Sequence, residues 1–467
     1  MSADKRPGPV TSRSGPASAE RLGLASGERP GAVSAELPGP ASSAGRPGPA
    51  SVDRPGLEEA ERVELTVDAV APGGHCVARV GGQVVFVRHA LPGERVVAEV
   101  TELHRGFARA DAVEILDASP DRVTPPCPYA RPGRCGGCDL QHVAPAAQLD
   151  WKLSVVREQL TRLGGLTAEQ VDALGVRIEA LPGGPLGWRS RVRYAVDAAG
   201  RAGLLKHRSH EVVPIDRCLI AHPAIQDLPV LPPTGARWPD ADAVETVAST
   251  GGDVAVVAYT DGVPTAVSGP ERVRETAAGR SFTLPASGFW QVHPAAADAL
   301  TGAVLDLLDP RPGETAWDLY GGAGLFAAAL AERVDGARVT LVESAPDGVA
   351  AARQNLADLR AVEVVAARVE AALSRRRITG PVDLVVLDPP RSGAGAAVVR
   401  GVVAAGPRAV AYVACDPAAF ARDVRTFAEA GWRLAALRGF DLFPMTQHVE
   451  LVGILEPGLD VPTGVTA

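Results

Sequence analysis

The spacing of apolar residues changes three times along the chain. From Val63 to Leu116, short runs alternate apolar and polar positions: Val63–Val67, Cys76–Val80, Gln83–Val87 and Glu94–Val100, separated by Gly and Pro turns. A period of two predicts half-buried strands, and about 55 residues of them suggest a small closed barrel of the OB type. Residues 119–285 mix loops, several strands and a helix over Leu149–Leu163. From about residue 286 the pattern becomes a regular alternation of apolar strands and amphipathic helices. The strands are Thr315–Leu319, Arg338–Glu343, Val362–Ala366, Val382–Leu387 and Arg408–Ala414. The helices are Leu325–Arg333, Ala345–Leu359 and Ala418–Ala430, and two terminal strands follow. Such alternation predicts a doubly wound, Rossmann-like parallel sheet with a late antiparallel addition. The predicted class is α/β, with an N-terminal OB-like barrel over 61–118, a central β-rich domain over 119–285 and the doubly wound domain over 286–456.

The ends of the chain follow no such pattern. Residues 1–60 repeat variants of Arg-Pro-Gly-Pro-Ala-Ser with little apolar content, too little to offset the entropy of ordering, so they are predicted to be disordered. Residues 457–467 read as a tail. Over all 467 residues, 46% are hydrophobic and 22% charged, and no apolar run approaches the ~18 residues of a membrane span, so a cytoplasmic protein is expected. The formal charge of −8 argues against a chain that coats nucleic acid nonspecifically. One stretch departs from it: Arg189, Arg191, Arg193, Arg201, Lys206, Arg208 and Arg217 face only Asp197, Glu211 and Asp216. Alternation of Arg191 and Arg193 with Val192 and Tyr194 predicts one basic strand face that contacts an RNA backbone.

Candidate chemistry gathers in the C-terminal domain. Cys415 ends the apolar strand Ala409–Ala414 and precedes Asp416-Pro417 and a helix, where backbone N–H groups are predicted to favour its thiolate. Asp388-Pro389-Pro390-Arg391 follows another apolar strand, and Glu450 is the only carboxylate near the start of the last one. Asp318-Leu319-Tyr320-Gly321-Gly322-Ala323-Gly324 closes a strand and opens a helix, with Glu343 about 20 positions on and able to hold ribose hydroxyls. Taken alone, that loop serves NAD or S-adenosylmethionine equally. The thiol and the strand-end carboxylates favour methyl transfer, because hydride transfer has no use for them.

The six cysteines are too sparse for a disulfide scaffold. Cys127, Cys135 and Cys138 lie within twelve residues, around Gly136-Gly137, and Cys218 is a plausible fourth partner. Three close thiols and one distant thiol suit a [4Fe–4S] cluster. Zinc and free thiols are the alternatives, although only one Cys-x-x-Cys pair is present.

Together these residues resemble the RNA uracil-5-methyltransferase family, in particular its 23S rRNA branch with a TRAM barrel and an iron–sulfur cluster. The resemblance spans roughly residues 61–455. It is carried by Cys135-Gly136-Gly137-Cys138, Asp318–Gly322, Asp388–Arg391, Cys415-Asp416-Pro417 and His448-Val449-Glu450. It implies that Gln291, Tyr320, Glu343 and Asp388 line the S-adenosylmethionine site, that Cys415 attacks C6 of a uracil, and that Glu450 is the general base. It also implies RNA as the partner, 23S rRNA rather than tRNA, with no membrane and no obligate protein partner. The chain departs from the family pattern at His293, where asparagine is common, at Gly321, where cysteine is frequent, and in its longer Cys127–Cys135 spacing. The competing readings are a tRNA-specific enzyme, an NAD-dependent oxidoreductase and a noncatalytic RNA-binding iron–sulfur protein.

Overall fold

Five strands close the N-terminal barrel: β1 (Arg62–Ala71), β2 (His75–Val80), β3 (Gln83–Arg88), β4 (Arg95–His104) and β5 (Phe107–Asp117). The computed structural model describes residues 57–458 apart from Thr234, so the expectations for the Pro/Gly-rich extension up to Gly56 and for the tail from Leu459 lie outside the described residues. The barrel order is β1-β2-β3-β5-β4, with one parallel pair, β3–β5, and closure by antiparallel pairing of β4 with β1. Inward positions Leu65, Val67, Ala78, Val85, Val87, Val96 and Ala98 are buried, as the period-two pattern requires.

The middle of the chain forms a six-stranded sheet in the order β12-β11-β10-β7-β8-β9. Its strands are β7 (Arg191–Val196), β8 (Ala202–Leu205), β9 (Val212–Pro214), β10 (Ala243–Ala248), β11 (Val254–Thr260) and β12 (Val263–Ser268). The preceding short strand β6 (Ile178–Ala180) belongs elsewhere, and the hairpin β13 (Arg272–Ala277) and β14 (Arg280–Pro285) leads into the C-terminal sheet.

That eight-stranded sheet has the order β17-β16-β15-β18-β19-β21-β20-β6. The strands β15 (Ala316–Leu319), β16 (Val339–Glu343), β17 (Val362–Ala366), β18 (Leu384–Leu387) and β19 (Ala409–Ala414) run parallel. The last strand, β21 (Glu450–Pro457), inserts antiparallel between β19 and β20 (Trp432–Asp441). Leu384, Val386, Ala411 and Val413 pack on one face of the sheet, while Val385, Leu387, Val410 and Tyr412 pack on the other. Burial on both faces explains why these strands read as continuous apolar runs. The pattern located every strand of this sheet except β6. It missed three helices, Ala296–Leu308, Val369–Ser374 and Ala396–Ala405, all rich in small and aliphatic residues.

The helix Pro145–Arg162 leaves the middle segment and packs through Val156 and Leu160 into the C-terminal core. Its buried polar side chains hold the loop between β20 and β21. Lys152 Nζ donates to Asp441 Oδ1 at 2.5 Å and to the Phe443 carbonyl at 3.1 Å. Gln148 accepts from the Met445 N–H at 2.9 Å and donates to the Leu140 and Val143 carbonyls. Removing one partner of a buried pair strands the other charge. Asp441→Ala is therefore expected to lower stability by about 3 kcal/mol, read as a lowered denaturant midpoint, with Lys152→Met/Asp441→Leu losing less.

Candidate active site

At the carboxyl ends of β15, β16 and β18, three carboxylates come together. Asp318 is fully buried, and burial, helped by the charges of Asp388 and Glu343, pushes it up to about 7 against the opposing Ala327 N–H. Its Oδ2 accepts from that N–H at 2.8 Å, while buried Oδ1 has no partner. Burial pushes Asp388, just past β18, up to about 7 as well. Glu343 ends β16, and its carboxylate accepts from Gly322, Ser344 and Ala345 N–H groups at 3.0, 2.5 and 2.6 Å. Crowded carboxylates favour a cationic ligand, whose charge relieves their mutual repulsion. Asp318 was not singled out from the sequence as a binding residue, although its place at the end of an apolar strand marked it.

The turn between β15 and the helix Leu325–Arg333 explains its glycines. Tyr320, Gly322 and Gly324 all have positive φ, of 68°, 52° and 97°. A Cβ on Gly321 would lie 2.5 Å from Leu341 Cγ, so Leu341 occupies the space that a cysteine side chain would need. Gln291 lies half-buried in the turn between β14 and the helix Ala296–Leu308.

The second half of the site sits where β19 ends. The register that pairs Val413 with Val452 and Ala414 with Leu451 sets Cys415 opposite Glu450. The thiol does not rest as the expected thiolate. Burial, then the charge of Glu450, pushes Cys415 up to about 12, while Arg391 pulls it down. The helix N-terminus is already satisfied, since the Asp416 carboxylate accepts from the Ala419 N–H at 2.7 Å and Pro417 offers no N–H. Glu450 is buried and held well above the usual carboxylate range by burial and by Asp388, with Arg391 opposing. Burial, followed by Arg391, depresses His448 to about 4, so it is neutral. Arg391 is thus the cation shared by Cys415, Glu450 and His448.

Two buried braces fix these loops. Asp423, on the helix after Cys415, accepts from Tyr412 Oη at 2.6 Å, from Ala394 N–H at 2.7 Å and from Gly395 N–H at 3.2 Å. The strand before Cys415 and the helix after it therefore both grip the loop that carries Arg391. The other brace corrects the reading of Arg191 as an RNA contact. Arg191 is buried, paired with Glu275 at 2.9 Å, and donates to the Ala286 and Gly288 carbonyls at 3.0 and 2.9 Å. With Ser190, whose N–H and hydroxyl both reach the Val292 carbonyl, it clamps the turn bearing Gln291. Arg193 stays exposed, with its guanidinium 3.9 Å from the Tyr259 ring centre. Phe289, in the clamped turn, is 77% exposed, the most exposed large apolar residue among those described.

Cys127, Cys135, Cys138 and Cys218 line one cavity with Arg189 and Tyr129, and all four are free thiols. Burial, then the neighbouring Cys218 and Cys127, pushes Cys135 up to about 11, and burial raises Cys138 and Cys218. Among the described residues, no group of three or more Cys, His, Asp or Glu side chains is placed to hold a metal ion. A tetrahedral zinc needs its thiolates about 2.3 Å from one centre. A cubane is bound at four separate iron corners, so its thiolates stand further apart. The four thiols supply an all-sulfur donor set around one cavity, the donor type of a [4Fe–4S] cluster. Cys76 lies apart in the barrel, where its thiol donates to the Ala90 carbonyl.

A strand-end carboxylate cluster in a Rossmann-like sheet, beside a thiol and a buried acid, suits a cationic methyl donor. The comparisons agree. Residues 57–113 match the model described as TRAM domain, and residues 278–457 match that described as tRNA (Uracil-5-)-methyltransferase. An uncharacterized RNA methyltransferase of Streptomyces avermitilis is 50% identical over 430 residues, 85% of this chain and 98% of the relative. One of Corynebacterium efficiens is 38% identical over 84% of this chain and 94% of the relative. The solved Pyrococcus abyssi tRNA (uracil-54, C5)-methyltransferase, in complex with S-adenosyl-L-homocysteine, superposes with a TM-score of 0.63. It is 21% identical, over 84% of this chain and all of that one, and shows the same fold. The chain belongs to the RNA uracil-5-methyltransferase family, among its TRAM-bearing members.

Because the charge of Arg391 favours the Cys415 thiolate, Arg391→Met is expected to slow alkylation of Cys415 by iodoacetamide several-fold at pH 9. Mass spectrometry of the Cys415 peptide reads the result, and an unchanged rate would remove Arg391 from the thiol's environment.

Proposed function

We propose that this enzyme methylates C5 of a uridine in 23S rRNA through a covalent bond between Cys415 and C6 of the base. The β19–β21 register, which sets Cys415 opposite Glu450, carries the reading. Uracil C5 is a weak nucleophile. Attack of a thiolate on C6 makes C5 enolate-like and able to take a methyl group. S-adenosylmethionine supplies that group as a methyl sulfonium, held by Gln291, Tyr320, Glu343 and Asp388. Glu450 then removes the C5 proton as general base, and elimination frees Cys415. The target base leaves its stack to reach the pair.

The high resting values of Cys415 and Glu450 fit a site that is assembled by its substrates. A cationic methyl donor beside Asp388 offsets the negative charge that raises both groups, while Arg391 favours the thiolate. Cys127, Cys135, Cys138 and Cys218 would hold a [4Fe–4S] cluster, whose role here is to tie the loop of the first three to the segment around Cys218.

Cys415→Ala is expected to abolish methyl transfer while leaving cofactor affinity near its native value. RNA with 5-fluorouridine at the target should trap native protein in a gel-stable adduct, because fluorine cannot leave as a proton. Glu450→Gln should accumulate the same adduct on ordinary RNA, and normal turnover by that variant would assign Glu450 to structure. Protein purified without oxygen should carry about four irons per chain. Stoichiometric zinc in place of iron would overturn the cluster.

A second reading, tRNA as substrate, is favoured by the match to the tRNA (uracil-5-)-methyltransferase family and by the Pyrococcus abyssi neighbour. The TRAM barrel with the cysteine set favours ribosomal RNA through the family resemblance. Methylation of unmodified tRNA and of 23S rRNA fragments under identical conditions separates them. Efficient transfer to rRNA alone is expected, and transfer to tRNA alone would move the substrate while leaving the chemistry in place.

A further inference from the structure

Counted alone, the barrel is acidic and makes a poor phosphate binder. Its junction with the middle segment differs. A cleft there is lined from the barrel by His75, Arg88 and Arg109, and from the middle segment by Lys206, His207 and Arg208, with Arg134 of the cysteine loop at its edge. Arg88 Nε, Arg109 Nε and His207 Nε2 are buried and have no hydrogen-bond partner, so three of the unpartnered buried polar atoms among the described residues border one cleft. Buried nitrogens of this kind are normally satisfied, and their clustering points to an acceptor that comes from outside the chain.

The position of that acceptor is marked by Glu102. Its carboxylate lies 3.4 Å from Arg109 Nε and 3.4 Å from Arg208 Nε, longer than ordinary charge-assisted bonds, and 3.0 Å from His104 Nε2. Glu102 sits near the end of β4 with a third of its side chain exposed, so it can swing out. Three other acids line the cleft, of which Glu59 is exposed. Glu99 pairs with Arg62 at 2.9 Å, and burial raises Asp111. The Arg109 guanidinium also lies over the rings of Phe86 and Phe107, at 5.9 and 5.5 Å, which fixes its plane. The middle-segment wall is held by the cysteine loop: Cys135 bridges to Lys206, and Gly136 N–H donates to the Leu205 carbonyl at 2.9 Å. A Cβ on Gly136 would fall 2.5 Å from His207 N, so glycine is needed for that contact.

We propose that this cleft binds a phosphodiester group of the RNA substrate between Arg109, His207 and Arg208, and that Glu102 occupies the phosphate position when RNA is absent. The proposal rests on the reading of the chain as an RNA-modifying enzyme. It predicts opposite signs for neighbouring residues, which a purely structural role would not produce. Arg109→Gln and Arg208→Gln weaken RNA binding, whereas Glu102→Gln strengthens it.

The test uses the full chain and a labelled 23S rRNA transcript, with equilibrium binding measured over a range of KCl. Loss of one phosphate contact should reduce the magnitude of the log K against log salt slope by about 0.7 to 0.9. Arg109→Gln and Arg208→Gln should each show that reduction and a several-fold weaker Kd, while Glu102→Gln should bind several-fold tighter. S-adenosylmethionine affinity should stay at its native value in all three. Should Arg109→Gln unfold, Lys206→Gln, whose side chain is 38% exposed, carries the same prediction. Unchanged slopes and affinities in folded variants would overturn the proposal. So would millimolar inorganic phosphate that stabilises the native chain but not Arg208→Gln, if RNA binding is the same in both, because the site would then take a free anion. Methyl incorporation into RNA by native protein is measured alongside. Its absence would sink the enzymatic reading, whereas its presence with unaltered binding in the variants would sink only the cleft.

Discussion

Antiparallel pairing of β21 with β19 is the constraint on which the rest of the active site depends. Five parallel strands bring loops and helix starts to one edge, but parallel pairing cannot return a final strand start beside another strand's end. Running β21 the opposite way does so: its first residue, Glu450, meets Cys415, just past the last residue of β19. A slip of one residue would turn Glu450 to the other face of the sheet. The register is secured by apolar residues buried on both faces, and from outside by Lys152 and Gln148, which hold the loop feeding β21. Burial in this arrangement raises both the acid and the thiol above their ordinary values.

Much of this was legible in the residues. Strands buried on both faces stand out as apolar runs, which is why β15 to β19 were placed within a few residues. Cys415 and Glu450 stood out because each breaks a run that otherwise excludes such side chains. The glycines after β15 were equally plain, since positive φ and close packing against Leu341 have few other solutions.

What escaped the sequence shares a cause: it depends on partners far along the chain. Arg191 and Arg193 alternate as a basic strand face should, yet Arg191 is turned inward by Glu275, 84 positions away. The thiolate favoured for Cys415 assumed a helix end with free N–H groups, but the adjoining Asp416 and Pro417 had already closed that end. Asp423 looks like one more helix carboxylate until its contacts with Tyr412 and Gly395 are seen. The barrel's acidic count likewise hid a basic cleft, because half of that cleft's wall comes from residues about a hundred positions later.

Strand β6 has a consequence for how the molecule can be divided. Ile178–Ala180 pairs in parallel with Gly439–Asp441, and Glu179 takes both arms of the Arg438 guanidinium at 2.8 Å. A Cβ on Gly439 would strike Ile178 Cδ1 at 2.5 Å, so the Ile178 side chain fills the space over that glycine. The outermost strand of the methyl-transferring sheet is thus lent by a segment that precedes the central sheet in the chain. The stretch 278–457 is consequently not a module that can be cut out: excised, it would present β20 as a bare row of backbone donors and acceptors, open to pairing with its own copies. Engineering that exchanges the RNA-recognition segments of this chain must carry that small strand along with the C-terminal sheet.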